Sequence, residues 1–97
     1  MNFQNYITEE KSKTVSYQRS WDIEKGENKS MVEYEIKRAV GDVIKSGVKY
    51  KIQKEGSEDD IDNYMVEFTG PYDLVYKIAK KLDNMSKEDF DNWIEVK

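Results

Sequence analysis

Apolar and polar residues alternate along three stretches of the chain, residues 13–24, 47–54 and 63–69. Side chains of a strand point alternately to its two faces, so each stretch predicts a β-strand with one buried side. The side predicted to face the core carries Val15, Tyr17, Trp21, Ile23, Val48, Tyr50, Ile52, Tyr64, Val66 and Phe68. The opposite side, which we expect to be open, carries Ser16, Gln18, Lys49, Lys51, Met65 and Glu67.

A different spacing follows Pro71, the single proline of the chain. The apolar residues there recur at the interval of a helical face, which predicts a helix over Tyr72–Asp83. Proline is well tolerated at the first turn of a helix, because its missing N–H has no partner there in any case. The stripe consists of Leu74, Val75, Ile78, Ala79 and Leu82.

Residues 31–45 carry a second apolar stripe with helical spacing, from Val32 to Ile44. Ser30 and Glu33 have the spacing of a capping box, and Gly47 supplies a C-terminal stop. Val32, Tyr34 and Ile36 also alternate as they would in a strand. The strand pattern accounts for about five residues whereas the helical pattern accounts for the whole segment, so we predict a helix.

The two ends of the chain allow more than one interpretation. Residues 1–12 are either an N-terminal arm or a short helix. Ser86 resembles a helix N-cap, and Phe90 and Trp93 then fit a third helix, whereas Ile94 and Val96 fit a closing strand. We expect residues 13–97 to form a single domain, since a chain of 97 residues has no room for a second one.

The predicted element order is β-α-β-β-α, with a possible last β. This order resembles the ferredoxin-like split βαβ plan, an α+β architecture. The resemblance implies a four-stranded antiparallel sheet with two helices on one face. It implies no function, because many unrelated activities share this plan.

Composition excludes several chemistries. The chain contains no cysteine and no histidine. Disulfides, thiolate nucleophiles, Ser-His dyads and zinc sites of the usual kind are therefore ruled out. The five glycines are scattered singly, which does not match a phosphate-binding loop. We therefore expect no enzyme activity, no metal and no cofactor.

Hydropathy and cysteine usage bear on location. No apolar run reaches the ~20 residues that a membrane span requires. The absence of cysteine suits a reducing compartment, so we expect a cytoplasmic protein without membrane contact. Lysine outnumbers arginine 14 to 2. That bias is typical of an AT-rich coding sequence, as in a low-GC bacterium or its mobile elements.

Charge is distributed unevenly along a chain whose net charge is −4. Residues 25–54 hold eight basic and four acidic side chains, whereas residues 55–70 hold six acidic side chains and no basic one. Residues 55–62 are predicted to form a loop at a hairpin tip. The candidate protein-binding residues are Glu55, Glu58, Asp59, Asp60, Asp62 and Glu67.

This acidic group has two principal interpretations. One is a solvated loop that aids solubility, and the other is an anionic finger that docks into a basic groove of a partner. A calcium loop fits poorly, because the segment lacks the alternating ligands, the glycine and the distal glutamate of an EF-hand.

Arg19 interrupts the apolar side of the first predicted strand. One interpretation places it near a sheet edge, where its head group reaches water past an apolar stem. The other makes it a fixed cation in a pocket between Tyr17 and Trp21.

We expect a small acidic protein-binding module whose partner presents a basic surface. Phage-encoded inhibitors, anti-defence proteins and immunity proteins act in this way, by occlusion or mimicry. One alternative is a small-molecule-binding regulatory domain with its ligand near Gly26. Another is an accessory nucleic-acid binder that uses residues 25–54, but the predicted open face carries no aromatic ring for stacking bases. The sequence leaves the oligomeric state open.

Overall fold

The structure is a computed structural model that describes residues 13–97. The predicted N-terminal arm or short helix lies outside the described residues. In chain order the elements are β1 (Thr14–Glu24), α1 (Lys29–Lys45), β2 (Lys49–Glu58), β3 (Ile61–Pro71), α2 (Tyr72–Asp83), α3 (Lys87–Trp93) and β4 (Glu95–Val96).

The four strands form one antiparallel sheet in the order β2-β3-β1-β4. β1 pairs with β3 along its whole length, from Thr14 opposite Pro71 to Glu24 opposite Ile61. α1 and α2 pack on one face of the sheet and contact each other. The predicted α+β class and the ferredoxin-like arrangement are confirmed, with α3 as a third helix added before the last strand.

The core lies between the sheet and the helices. Its fully buried side chains come from the strands and from all three helices, and they include Val15, Tyr17, Val32, Ile36, Val40, Val66, Phe68, Val75, Ile78, Ala79 and Phe90. Trp21 and Tyr50 are half-buried and pack against this core. The side of each strand that alternation assigns to the core is therefore the buried side, as predicted.

Residues 31–45 are helical, as predicted, but the predicted cap is wrong. α1 begins at Lys29, and Asn28 is its N-cap, with Oδ1 accepting a hydrogen bond from the backbone N–H of Ser30 at 2.9 Å. Asparagine and serine cap helices about equally well, so both candidates satisfied the local rule. The helix bends at Val40, whose φ of −135° and ψ of 20° are not helical.

Both interpretations of the C-terminal segment describe part of it. Ser86 caps α3, because its Oγ accepts a hydrogen bond from the backbone N–H of Asp89 at 3.1 Å. Phe90 projects from α3 into the core, where its ring centroid lies 5.3 Å from that of Tyr72 and 5.2 Å from that of Tyr76. The chain then pairs β4 with β1 over only two residues, Val15 and Ser16.

Candidate protein-binding surface

The predicted loop over residues 55–62 is wrong. β2 continues to Glu58 and β3 begins at Ile61, so only Asp59 and Asp60 form the turn. Asp59 has a φ of 46°, a left-handed conformation that aspartate adopts more readily than most residues. The polar composition is typical of a loop, but strand pairing overrides it. Residues 56–58 of β2 pair with residues 61–63 of β3, which also pair with β1 on their other side.

The hairpin separates the six predicted acidic residues into two groups. Glu55, Glu58, Asp59 and Asp60 are exposed. Glu55 lies at a bulge between Lys54 and Gly56, where the register of β2 against β3 shifts. Asp62 and Glu67 are engaged within the fold, so the six do not form one surface.

Asp62 is a buried, structural carboxylate. It is only 4% exposed, and its Oδ1 accepts a hydrogen bond from Ser57 Oγ at 2.5 Å. Its other oxygen lies 3.8 Å from Lys54 Nζ. Both partners belong to the adjacent strand β2, so Asp62 holds the hairpin together and is not available to another protein.

Glu67 lies on the open face of the sheet, about 24 Å along β3 from the turn. Its Oε2 accepts hydrogen bonds from Gln18 Nε2 at 3.0 Å and from Ser16 Oγ at 2.9 Å. The hydrogen bonds from Gln18 and then Ser16 hold the pKa of Glu67 below its usual range. Glu67 therefore links β1 to β3 across the open face.

Strand register adds two residues that sequence reasoning did not associate with the site. Glu24 pairs with Ile61 and Ile61 pairs with Glu58, so their side chains form one row on the open face. Ile61 is 46% exposed between the two glutamates. The backbone N–H of Lys25 donates to the carbonyl of Asp60 at 2.7 Å and ties the end of β1 to the turn.

We call this region the acidic end, defined as Glu24, Glu58, Asp59, Asp60 and Ile61. Its four carboxylates are exposed, and within residues 13–97 none of them makes a hydrogen bond or an ion pair through its side chain. Unpaired like charges that are close together repel one another and attract cationic groups. An exposed aliphatic side chain at the centre of such a group adds apolar contact area.

In a second cluster, a carboxylate and several aromatic rings contact one another and an arginine within the fold. We call it the packed cluster, defined as Tyr17, Arg19, Trp21, Asp83 and Phe90. Arg19 Nε and Nη2 donate to the two carboxylate oxygens of Asp83, each at 2.9 Å. The guanidinium also lies 4.7 Å from the ring centroid of Trp21. Arg19 is thus held by Asp83 and Trp21, as the second interpretation expects of a fixed cation, and it lies beyond the two residues of β1 that β4 covers, as the first interpretation expects of a residue near a sheet edge.

Asp83 sits at the C-terminal end of α2, where a negative charge is disfavoured by the helix dipole. Burial alone would raise its pKa, but hydrogen bonds from Arg19 and Tyr17 and the charge of Arg19 hold the pKa of Asp83 below its usual range. Burial, followed by the hydrogen bond and charge of Asp83, raises the pKa of Tyr17 well above its usual range. The cluster keeps Asp83 ionised and Tyr17 neutral, which suits a structural role.

A sheet that binds nucleic acid usually carries aromatic rings on its open face, where bases can stack on them. Tyr17, Tyr64 and Phe68 are buried on the helix side, so they offer no stacking surface to a base. The basic residues of 25–54 are also spread over different surfaces. Lys37 lies on α1, Lys51 pairs with Glu67 on the open face, and Lys54 contacts Asp62.

The loop near Gly26 borders a shallow cleft of about 340 Å³, lined by Glu27, Asn28, Ser30, Met31 and Tyr34. The side-chain oxygen of Asn28 is already engaged as the helix cap. In the described part of the chain, no three acidic side chains come together in a group able to hold a metal ion. None of the helices over residues 13–97 has the length and apolarity needed to cross a membrane.

Comparison of the chain with protein-family models, with curated proteins and with solved structures found no significant match in any of the three.

Proposed function

We propose that the protein is a non-enzymatic protein-binding module that docks its acidic end against a basic surface of a protein partner. One observation carries this proposal: Glu24 and Glu58 flank the exposed side chain of Ile61, Asp59 and Asp60 form the adjoining turn, and none of the four exposed carboxylates has a partner within residues 13–97. Aliphatic contact at the centre with charge at the rim is a common arrangement of protein interfaces. Complementary charge at the rim speeds association and selects the partner.

The strand pairing of the hairpin supports the same proposal. Glu24, Glu58 and Ile61 belong to paired strands, and only two residues form the turn. A backbone that is already held by strand pairing loses less conformational entropy on binding than the backbone of a mobile loop. The acidic end therefore presents its carboxylates from nearly fixed backbone positions.

We further propose that docking acts by occlusion or mimicry in the cytoplasm, as it does for inhibitors encoded by phages and mobile elements. An acidic surface of this kind can occupy a site that normally receives another polyanion or an acidic segment. The excess of lysine over arginine, which is typical of an AT-rich coding sequence, and the absence of cysteine support this setting.

Capture of a partner from the lysate of a low-GC bacterium tests the proposal with two matched variants. The first neutralises the turn through Glu58→Gln, Asp59→Asn and Asp60→Asn. The control neutralises three exposed carboxylates elsewhere through Asp42→Asn, Asp73→Asn and Glu88→Gln. Both variants raise the net charge by the same amount, so a difference between them reports the position of the charge and not its total.

We expect the wild type and the control to retain the same protein, and the turn variant to lose it at physiological salt. Retention by the wild type should weaken as salt rises, because surface charge attraction is screened. Equal retention by all three proteins would contradict the proposal, as would the absence of any retained protein at both low and high salt.

A further inference from the structure

The outer edge of β1 is only partly covered. β4 pairs with Val15 and Ser16, and among residues 13–97 no other strand lies against this edge. At Gln18 the indole Nε1 of Trp93 donates to the backbone carbonyl at 2.7 Å. Beyond that point no strand within residues 13–97 covers the edge, and at its end the carbonyl of Glu24 accepts a hydrogen bond from the backbone N–H of Glu27 at 3.1 Å.

The direction of the backbone groups on this open stretch follows from the bonds already made. The carbonyls of Thr14 and Gln18 point outward, since they accept from Lys97 N and Trp93 Nε1. Outward groups recur at every second residue of an antiparallel strand. Ser20 and Asp22 therefore direct their N–H and C=O groups away from the sheet, where the described chain provides no partner.

The two edges of the sheet differ in how they oppose further pairing. β2 has a bulge at Glu55 and exposed lysines at positions 49, 51 and 54, devices that discourage an added strand. β1 is regular along its open stretch, with neither proline nor bulge. Strand addition is therefore better accommodated at β1 than at β2.

We infer that the open edge of β1 receives an extended, lysine- or arginine-bearing segment of the protein partner, which adds to the sheet as an antiparallel strand. Main-chain hydrogen bonds to Ser20 and Asp22 would supply the pairing. This inference rests on the proposed function, because such a strand runs alongside Asp22 and Glu24 and reaches the acidic end.

The negative charges beside the open edge of β1 determine which kind of segment can pair with it. In an antiparallel pair, a residue opposite Asp22 that turns its N–H toward β1 places its side chain on the same sheet face as Asp22. Asp22 and Glu24 are both exposed on that face, and neither side chain has a partner within residues 13–97. A second copy of the chain paired symmetrically over Ser20–Glu24 would bring Asp22 against its own counterpart, which is unfavourable. A basic strand pairs with them.

A cleft beside the same edge fits the long side chain of a basic residue. It has a volume of about 450 Å³, and its lining includes Ser20, Met65, Trp93 and Glu95, together with Arg19, whose guanidinium is engaged by Asp83. Trp93 is 60% exposed and presents its ring to this space. A lysine or arginine opposite Ser20 would lay its stem against Met65 and Trp93, with its charge over the indole and near Glu95.

Nuclear magnetic resonance of the full-length, ¹⁵N-labelled protein tests the inference with defined peptides. The probe is a seven-residue peptide of alternating lysine and valine, blocked at both ends. In the antiparallel pairing its lysine amides face β1 and its valine amides face outward. Two control peptides carry backbone N-methyl groups on the lysines or on the valines, with side chains and charge unchanged.

We expect the parent peptide to shift the amide signals of Ser20, Asp22 and Glu24 and to slow their hydrogen exchange at least tenfold. Methylation on the lysines should weaken binding at least tenfold, whereas methylation on the valines should leave it unchanged. Equal binding of the two methylated peptides would overturn the inference, because attraction between side-chain charges alone does not require a backbone edge. Absence of shifts at millimolar peptide would also overturn it.

A matched pair of charge reversals in the protein completes the test. Asp22→Lys should weaken binding of the parent peptide at least fivefold. Asp42→Lys, which changes an exposed aspartate on α1, should leave that binding unchanged. Equal effects would overturn the inference. Shifts confined to residues 58–61 would overturn strand addition while leaving docking of the acidic end intact. Strand addition to β1 without any captured protein partner would instead contradict the proposed function alone.

Discussion

The packed cluster and the acidic end both place carboxylates beside apolar side chains, and they use them in opposite ways. Asp83 is held by Arg19 and Tyr17, within a cluster that also contains the fully buried Phe90. At the acidic end, Glu24 and Glu58 flank Ile61, and their carboxylates make no hydrogen bond or ion pair within residues 13–97. The comparison teaches that acidic residues of one chain divide into those that the fold engages and those without a partner in residues 13–97, which the proposed function assigns to another molecule.

The largest effect that separates the two regions is expected at Phe90. Phe90→Ala removes a fully buried ring that contacts Tyr17, Tyr72 and Tyr76, and should cost about 3–5 kcal/mol of the free energy of unfolding. Urea denaturation measures this loss, with Ile61→Ala as the control at the exposed apolar residue. A loss at Ile61 equal to the loss at Phe90 would contradict the distinction between the two regions.

Removing the charge of the packed carboxylate should have the next largest effect. Asp83→Asn leaves Arg19 without its counterion, and we expect a cost of about 1–2 kcal/mol, because hydrogen bonds to charged groups are stronger than neutral ones and this pair is partly exposed. Asp42→Asn, at an exposed carboxylate on α1 away from its first turn, should change the free energy of unfolding by less than about 0.5 kcal/mol. Similar costs for both variants would show that the ion pair between Arg19 and Asp83 contributes nothing to the free energy of unfolding.

The pH dependence of stability sharpens the same contrast. The pKa of Asp83 is lower in the folded state than in the unfolded chain, so its contribution is complete above about pH 4 and is lost as pH falls through the folded pKa. The free energy of unfolding of the wild type should therefore decline below about pH 4. Asp83→Asn should decline less steeply over the same range, with the remaining slope owed in part to Glu67. Parallel curves would contradict the assignment of this carboxylate to the fold.

The smallest effect on stability is expected at the acidic end. The variant with Glu58→Gln, Asp59→Asn and Asp60→Asn removes charges that have no partner, and it relieves repulsion between them. Asparagine also adopts the left-handed conformation seen at Asp59. The melting temperature should stay the same or rise slightly. A fall equal to that of Asp83→Asn would mean that the turn carboxylates support the fold.

Much of the fold follows from local pattern. Alternation placed Trp21 and Tyr50 on the correct side of the sheet, because period two leaves a strand with only two possible faces. The helix over residues 31–45 was predictable, because its apolar stripe is longer than the competing strand pattern. Its cap was not, because Asn28 and Ser30 satisfy the same local rule.

The site was less predictable, because it depends on contacts between distant parts of the chain. Glu24 and Ile61 meet through the register of β1 against β3, and no local feature of either strand specifies that register. Arg19 and Asp83 are 64 residues apart, so their pairing depends on where α2 ends above the sheet. Charge counting along the chain grouped Asp62 and Glu67 with the turn, although burial and strand pairing separate them from it.

The central claim is that the carboxylates of the acidic end bind a basic partner and do not serve the fold. Titration calorimetry of the captured and purified partner measures it directly, with the turn variant and the variant carrying Asp42→Asn, Asp73→Asn and Glu88→Gln compared at two salt concentrations. We predict at least tenfold weaker binding and a shallower salt dependence for the turn variant, with the control unchanged. Equal affinity of the two variants for the partner would contradict the claim.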